Sequence, residues 1–200
     1  MNNGVKYIII ISILLIVVLL LKKFKPNVLT VNVKPIKKPY KNMILETWDK
    51  ASQPRIDTLH PLFKADVIKF INDAESQGYK IRVTEGFRSI EQQNKDYAKG
   101  RTEGVKGKTI TKAVGGNSFH NYRLAIDVVE IKDGKALFIN PNWAKIGAIG
   151  KKYGFVWGGD WTLEKEGIID KPHFQKSYGK TLAQIKDLAK FSKDGIINLT

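Results

Sequence analysis

The sequence predicts an α+β fold, a small and mainly antiparallel sheet with helices packed on it. Three observations predict it. Short runs of alternating or branched apolar residues at 79–85, 124–131 and 155–157 read as strands. Longer stretches with apolar residues three and four apart, at 61–77 and 181–191, read as helices. The tetrapeptide Lys132-Asp133-Gly134-Lys135 separates two apolar runs with an Asp-Gly turn, a hairpin signal.

Residues 61–77 place Phe63, Val67, Phe70, Ile71 and Ala74 on one helical face, and Gly78 ends the helix. His60 precedes Pro61 at the helix start and reads as structural. Residues 79–85 alternate as a strand. Ser89 is an N-cap for a helix reaching about residue 99, with Gln92 placed to complete a capping box. Residues 101–117 are polar and glycine-rich, hence a loop. Residues 124–131 and 136–139 form the hairpin around Asp133-Gly134. A helix over 141–153 is ended by Gly154, residues 155–157 form a strand, and 172–175 a last short one. Leu182, Ile185, Leu188 and Ala189 then make 181–191 a short amphipathic helix.

Ahead of this domain, residues 7–21 are apolar apart from Ser12, with Lys6 before them and Lys22-Lys23-Phe24-Lys25 after. Fifteen helical residues reach only about 22 Å, short of a bilayer core of roughly 30 Å, but terminal lysines can snorkel and lengthen the usable span. No small-residue cleavage site comes after Leu21, so residues 1–25 are expected to be an uncleaved signal anchor. The lysines after the apolar run would by themselves keep the downstream domain in the cytoplasm. Residues 26–48 carry Pro26, Pro35 and Pro39 among lysines and read as a semi-extended linker. The main domain is expected over 49–178, with a C-terminal amphipathic helix and tail over 179–200.

The chain has three histidines and no cysteine. Two of the histidines lie in Ser118-Phe119-His120-Asn121-Tyr122-Arg123-Leu124-Ala125-Ile126-Asp127 and Asp170-Lys171-Pro172-His173-Phe174. His120, Asp127 and His173 form one set of nitrogen and oxygen donors that suits zinc, with Asp170 left over as a base. Asp127 stands inside an apolar strand, and a carboxylate there needs a partner or a metal. On chemistry alone a structural role for each of these residues remains the more frequent outcome.

The same residues carry a resemblance. The chain resembles the zinc peptidases that include the vancomycin-resistance D-Ala-D-Ala carboxypeptidases and the L-alanyl-D-glutamate endopeptidases of bacteria and phage endolysins. Their pattern S-x-H-x-x-G-x-A-x-D is met by Ser118, His120, Ala125 and Asp127, and a late acid-x-x-H by Asp170 and His173. Arg123 stands where the family usually has Gly, which puts the local backbone in question. Thr84-Glu85-Gly86-Phe87-Arg88-Ser89-Ile90-Glu91-Gln92-Gln93 resembles the family's G-[YF]-R-S block, and Leu59-His60-Pro61 the start of its endopeptidase domain. The similarity covers roughly residues 45–178.

The resemblance implies an α+β domain with zinc in a cleft on the sheet. It implies His120, Asp127 and His173 as ligands, Asp170 as general base and Arg88 as the charge that stabilises the oxyanion. Ser118, Gln92 and Trp157 are expected to support or bind substrate. Asp170, rather than Glu, and the stretch Trp157-Gly158-Gly159-Asp160-Trp161 lean toward the endopeptidase subgroup. The implied reaction is cleavage of the L-Ala-D-Glu bond in peptidoglycan stem peptides. A D-Ala-D-Ala carboxypeptidase and a non-catalytic wall-binding module are the alternatives.

The net charge of +15, from 34 Lys and Arg against 19 Asp and Glu, favours polyanionic partners. Trp143, Trp157 and Trp161 are not interleaved with base-reading motifs, so a cell wall or membrane surface is expected rather than nucleic acid. The protein is expected to be a monomer, membrane-anchored, with its catalytic domain facing the periplasm or cell wall. That orientation is chosen to suit the substrate, against the lysine bias.

Overall fold

The structure is a computed structural model that describes residues 47–192 and 195–199. The described residues belong to one unit of the chain, residues 44–200. The expected anchor therefore lies outside the described residues, as does the expected linker up to residue 46. Among the described residues no helix is long and apolar enough to cross a membrane.

The helices are α1 (Gln53–Ile56), α2 (Pro61–Ser76), α3 (Ile90–Ala98), α4 (Trp143–Lys152) and α5 (Leu182–Lys190). The strands are β1 (Ile81–Glu85), β2 (Ala125–Lys132), β3 (Lys135–Leu137), β4 (Val156–Trp157) and β5 (His173–Gln175). They form one sheet in the order β1-β2-β5-β4, with β3 also on β2, and every pairing is antiparallel. This is the expected α+β architecture.

β2 is central because its apolar run can be buried on both faces. It pairs with β1 along one side, while β3 and β5 meet opposite ends of the other. Asp127 is opposite both Glu85 and His173, so three strands line up an acid, an acid and a histidine across the sheet. The β2–β3 turn has Asp133 at φ 51° and Gly134 at φ 74°, the paired left-handed residues of a type I′ turn. β3 ends at Leu137, short of the expected 139, and Phe138 and Ile139 are exposed beyond the ladder.

α2 buries Phe63, Val67, Phe70, Ile71 and Ala74, the face read from its spacing. Phe70 meets the rings of Phe155 at 5.6 Å and Phe174 at 4.9 Å, which joins α2 to the strands that carry the late motif. Each such ring contributes about 1.5–3 kcal/mol on burial. α4 packs closely on β4, and a Cβ at Gly147 would fall 2.4 Å from the Trp157 ring.

The segment before β1 is tied down by Asp49, which receives Ser52 Oγ at 2.7 Å and Arg82 Nε and Nη2, both at 2.9 Å. The C-terminal segment places Ile185, Ile197 and Leu199 in the core. His60 is structural, as expected: Nδ1 accepts from Leu62 N–H at 3.3 Å and Nε2 donates to the Ile197 carbonyl at 2.9 Å. The capping box expected at α3 is half formed. Ser89 Oγ accepts from Gln92 N–H, but the Gln92 side chain donates to Asp96 instead. Complete boxes stand at Ser118–Asn121 and Thr181–Gln184.

Candidate metal centre

His120 sits in the 3-10 turn Phe119–Tyr122, opened by Ser118 and closed by Arg123 just before β2. Arg123 lies at φ 63°, a left-handed conformation that glycine adopts freely. The chain thus turns into β2 through a left-handed residue that is not glycine. The guanidinium is anchored by the Thr58 carbonyl and lies 4.2 Å from the Phe87 ring centre.

His120 and His173 are each almost fully buried. His120 Nδ1 lies 2.7 Å from the Gly86 carbonyl, which can only accept, so Nδ1 carries the proton. His173 Nε2 lies 2.9 Å from Gln175 Oε1 and carries its proton for the same reason. The other nitrogens, His120 Nε2 and His173 Nδ1, turn their lone pairs toward Asp127.

The separations are 3.2 Å between the two nitrogens, 3.4 Å from His120 Nε2 to Asp127 Oδ1, and 3.1 Å from His173 Nδ1 to the same oxygen. Three acceptors this close repel one another unless a positive charge sits among them. A tetrahedral cation bound at about 2.05 Å spaces its ligands about 3.3 Å apart, so the donor set fits a metal ion of zinc's size. Among the described residues these three form the group able to hold a metal ion.

The electrostatics agree. Burial alone would raise the Asp127 pKa, but without a metal His120 and His173 take up a second proton that they donate to it, and this outweighs burial and holds the carboxyl well below the usual range. Burial alone would lower His173, and the Asp127 hydrogen bond and charge outweigh it to raise it. The centre attracts a cation, whether proton or metal.

Asp170 lines the same pocket and is half-buried. Burial first, and then the Asp127 charge, push its carboxyl above the ordinary value. It is held by the tryptophan-glycine stretch: Asp170 N–H donates to the Gly158 carbonyl at 2.9 Å, and its own carbonyl accepts from His173 N–H at 3.1 Å. A Cβ at Gly158 would lie 2.3 Å from that carbonyl oxygen, so glycine is required there.

Arg88 also lines the pocket, with its guanidinium largely committed. Nε donates to Glu85 at 2.7 Å, Nη2 to the other Glu85 oxygen, and Nη1 to Gln93 Oε1 at 2.9 Å. Nη2 also stands 3.8 Å from Asp127. Ser118 is on the pocket wall.

Gln92 and Trp157 are not among the pocket residues. Gln92 is exposed and turned to Asp96. Trp157 is buried, stacks on Phe174 and donates Nε1–H to the Lys171 carbonyl at 2.7 Å. Of their neighbours, Trp161 is a pocket residue and Gln93 is hydrogen-bonded to three pocket residues. Gln93, fully buried, joins Arg88 to the opposite wall by donating to Thr111 Oγ1 at 3.2 Å and the Ala113 carbonyl at 2.8 Å. Trp161 lines the pocket with its ring 5.0 Å from that of His173. Gln175, which orients His173, and Gly86, which orients His120, went unassigned in the sequence. The pocket holds about 470 Å³, room for a few peptide residues.

A family model described as VanY, D-alanyl-D-alanine carboxypeptidase, matches residues 57–178. The peptidoglycan L-alanyl-D-glutamate endopeptidase CwlK of Bacillus subtilis (strain 168) is 39% identical over 127 residues, covering 58% of this chain and 72% of that one. The L-alanyl-D-glutamate peptidase of Listeria phage A118 is 30% identical over 119 residues, covering 58% of this chain but 37% of that one. This chain thus spans little more than a third of the phage protein. Among solved structures, the Serratia marcescens L-Ala D-Glu endopeptidase ChiX aligns at TM-score 0.49 and 20% identity, over 70% of this chain and 96% of that one. With more than half of its length matched by the family model, the chain belongs to the VanY family of peptidases.

Proposed function

We propose that the chain is a zinc-dependent peptidoglycan endopeptidase that cleaves the L-Ala-D-Glu bond of stem peptides. The carrying observation is the convergence of three lone-pair donors within 3.1–3.4 Å of one another in a peptide-sized pocket. His120 Nε2, Asp127 Oδ1 and His173 Nδ1 would hold the ion. When bound, zinc supplies Lewis-acid activation of water near neutral pH.

The chain's own groups do the rest. Asp170, whose raised pKa suits a group that both takes and returns a proton, accepts one from the attacking water and passes it to the leaving amine. Arg88 presents a fixed positive charge at the pocket wall for the oxygen that gains charge on the scissile carbonyl. Glu85 and Gln93 keep that charge in place. Ser118 and Trp161 shape the wall against which substrate lies. The choice of bond rests on CwlK and the phage enzyme, both named for the L-alanyl-D-glutamate linkage.

A purified full-length chain should bind about one zinc by elemental analysis and release fragments cut between L-Ala and D-Glu from wall digests. Stem peptides left intact in the presence of zinc refute the reading. The description of the family model favours a second reading, a D-Ala-D-Ala carboxypeptidase. Mass spectrometry of one synthetic pentapeptide separates the two, because the carboxypeptidase removes a single terminal alanine.

The same reading extends to the rest of the chain. Residues 1–25 act as a membrane anchor and 26–48 as a spacer. The catalytic domain, 49–178, works on the periplasmic or wall side as a monomer, and 179–200 complete it. The apolar run at 7–21 and the location of the substrate support this. Membrane fractionation with protease accessibility, and sedimentation of the detergent-solubilised chain, test it.

A further inference from the structure

We propose that Lys112 reads the carboxylate next to the leaving amine, so that the enzyme prefers stem peptides with a free D-Glu α-carboxylate over the amidated form. The inference rests on the reaction proposed above and names the substrate class more narrowly.

Three acids line the pocket, Asp127, Glu166 and Asp170, and they offset the charge of the ion proposed above, while the buried cation, Arg88, already holds Glu85 and Gln93 and is assigned to the scissile carbonyl. Lys112 lines the pocket from the loop between α3 and β2. Among the described residues it has no hydrogen-bonding or ion-pair partner. Its amine reaches across to the loop before β5: a Cβ on Gly167, which sits at φ 68°, would fall 2.8 Å from Lys112 Nζ. The left-handed backbone at Gly167 favours glycine, and without a Cβ there the amine lies close against that loop.

The substrate offers a matching charge. In an L-Ala-D-Glu linkage the peptide continues through the γ-carboxyl of D-Glu, so the carbon bearing the leaving nitrogen keeps a free α-carboxylate. That anion needs a cation not already engaged at the reacting carbonyl. An uncommitted ammonium on the pocket wall supplies one, and it gives nothing to a neutral amide at the same position.

Two synthetic stem peptides test it, identical except for D-Glu or D-isoglutamine, with kcat and KM measured on the full chain. Wild type is expected to favour the carboxylate peptide about fivefold in kcat/KM, the upper range for a partly exposed ion pair, with the difference in KM. Salt should shrink that preference. Lys112→Met should bring the ratio to about one, and Lys112→Arg should keep it. Titration of the metal-stripped full chain with the D-Glu product peptide should show the same fivefold loss of affinity in Lys112→Met, a readout independent of turnover.

An equal ratio in wild type and Lys112→Met, with equal product affinity, overturns the role of Lys112 and leaves the reaction standing. If neither peptide is cut while a pentapeptide loses its terminal alanine, the reaction assignment falls and takes this inference with it.

Discussion

Replacing Gln93 with leucine tests how the pocket is held together. Gln93 is a fully buried polar side chain, and all its hydrogen bonds run to the site: one from Arg88 and two to the 111–113 strap. Leucine fills similar volume but makes none of them. The Ala113 carbonyl is left without its side-chain donor, and Arg88 loses one charge-assisted bond. A charged bond and an unpaired buried acceptor each cost about 1–3 kcal/mol, partly offset by the added apolar burial, so the net loss should be about 3 kcal/mol. For a domain of this size that lowers Tm by about 6–12 °C. Because Glu85 still grips the guanidinium, Arg88 stays nearby but loses its fixed orientation, and kcat/KM should fall at least tenfold. Zinc content should be unchanged. Gln93→Glu separates the two contributions: it keeps an acceptor for Arg88 but sets a carboxylate against the Ala113 carbonyl, so KM should suffer more than kcat. Differential scanning calorimetry and steady-state kinetics measure both. A Gln93→Leu protein with wild-type Tm and wild-type kcat/KM would refute the argument that this amide couples the arginine to the wall.

Three further outcomes are expected. Gly158→Ala should force the Asp170 segment outward, since its Cβ would meet the Asp170 carbonyl at 2.3 Å. Zinc affinity and turnover should both drop, with elemental analysis and peptide digestion as the measurements. His120→Ala and His173→Ala should lose metal and activity together, whereas Asp170→Ala should keep zinc and lose turnover. Loss of zinc in Asp170→Ala but not in Asp127→Ala would mean the ligand and base roles are exchanged. The third outcome concerns acid stability. Burial would raise the Asp49 pKa, but hydrogen bonds from Arg82 and Ser52 outweigh it and lower it. A carboxyl depressed in the fold stabilises above its unfolded pKa of about 3.9, and that contribution is lost as pH falls through the folded value. Wild type should exceed Asp49→Asn by about 1 kcal/mol near neutral pH, with the gap closing below about pH 4 in urea unfolding at stepped pH.

The parts of the fold legible in the sequence are those whose constraints are local. The helix of residues 61–76 was readable because five apolar side chains, four of them large, repeat on one face. The Asp133-Gly134 turn was readable because few residue pairs accept two successive positive φ angles. The candidate ligand set was legible because the motifs around His120, Asp127 and His173 resemble the family's, whereas scarce histidine and absent cysteine alone leave a structural role the more frequent outcome. The expected residues that do not line the pocket fall where sequence spacing carries no direction. In the helix Ile90–Ala98, Gln93 alone is buried, so no apolar stripe marks the inward side, and Gln92, expected at the site from the resemblance, lies exposed one position away. The strand Val156–Trp157 is two residues long, too short for alternation to show that Trp157 faces the core while Trp161 reaches the pocket. What aligns Glu85, Asp127 and His173 is the register of three strands from distant parts of the chain, and only the pairing itself fixes that. The same register ties the arginine to the metal centre. Glu85 reaches the row beside Asp127 through the register shift between Val83 and Glu85 and holds Arg88, so that irregularity fixes where the guanidinium lies against the candidate site. A slip of β1 by one residue would turn Glu85 to the other face and release Arg88, while His120, Asp127 and His173, none of them on β1, would stay together.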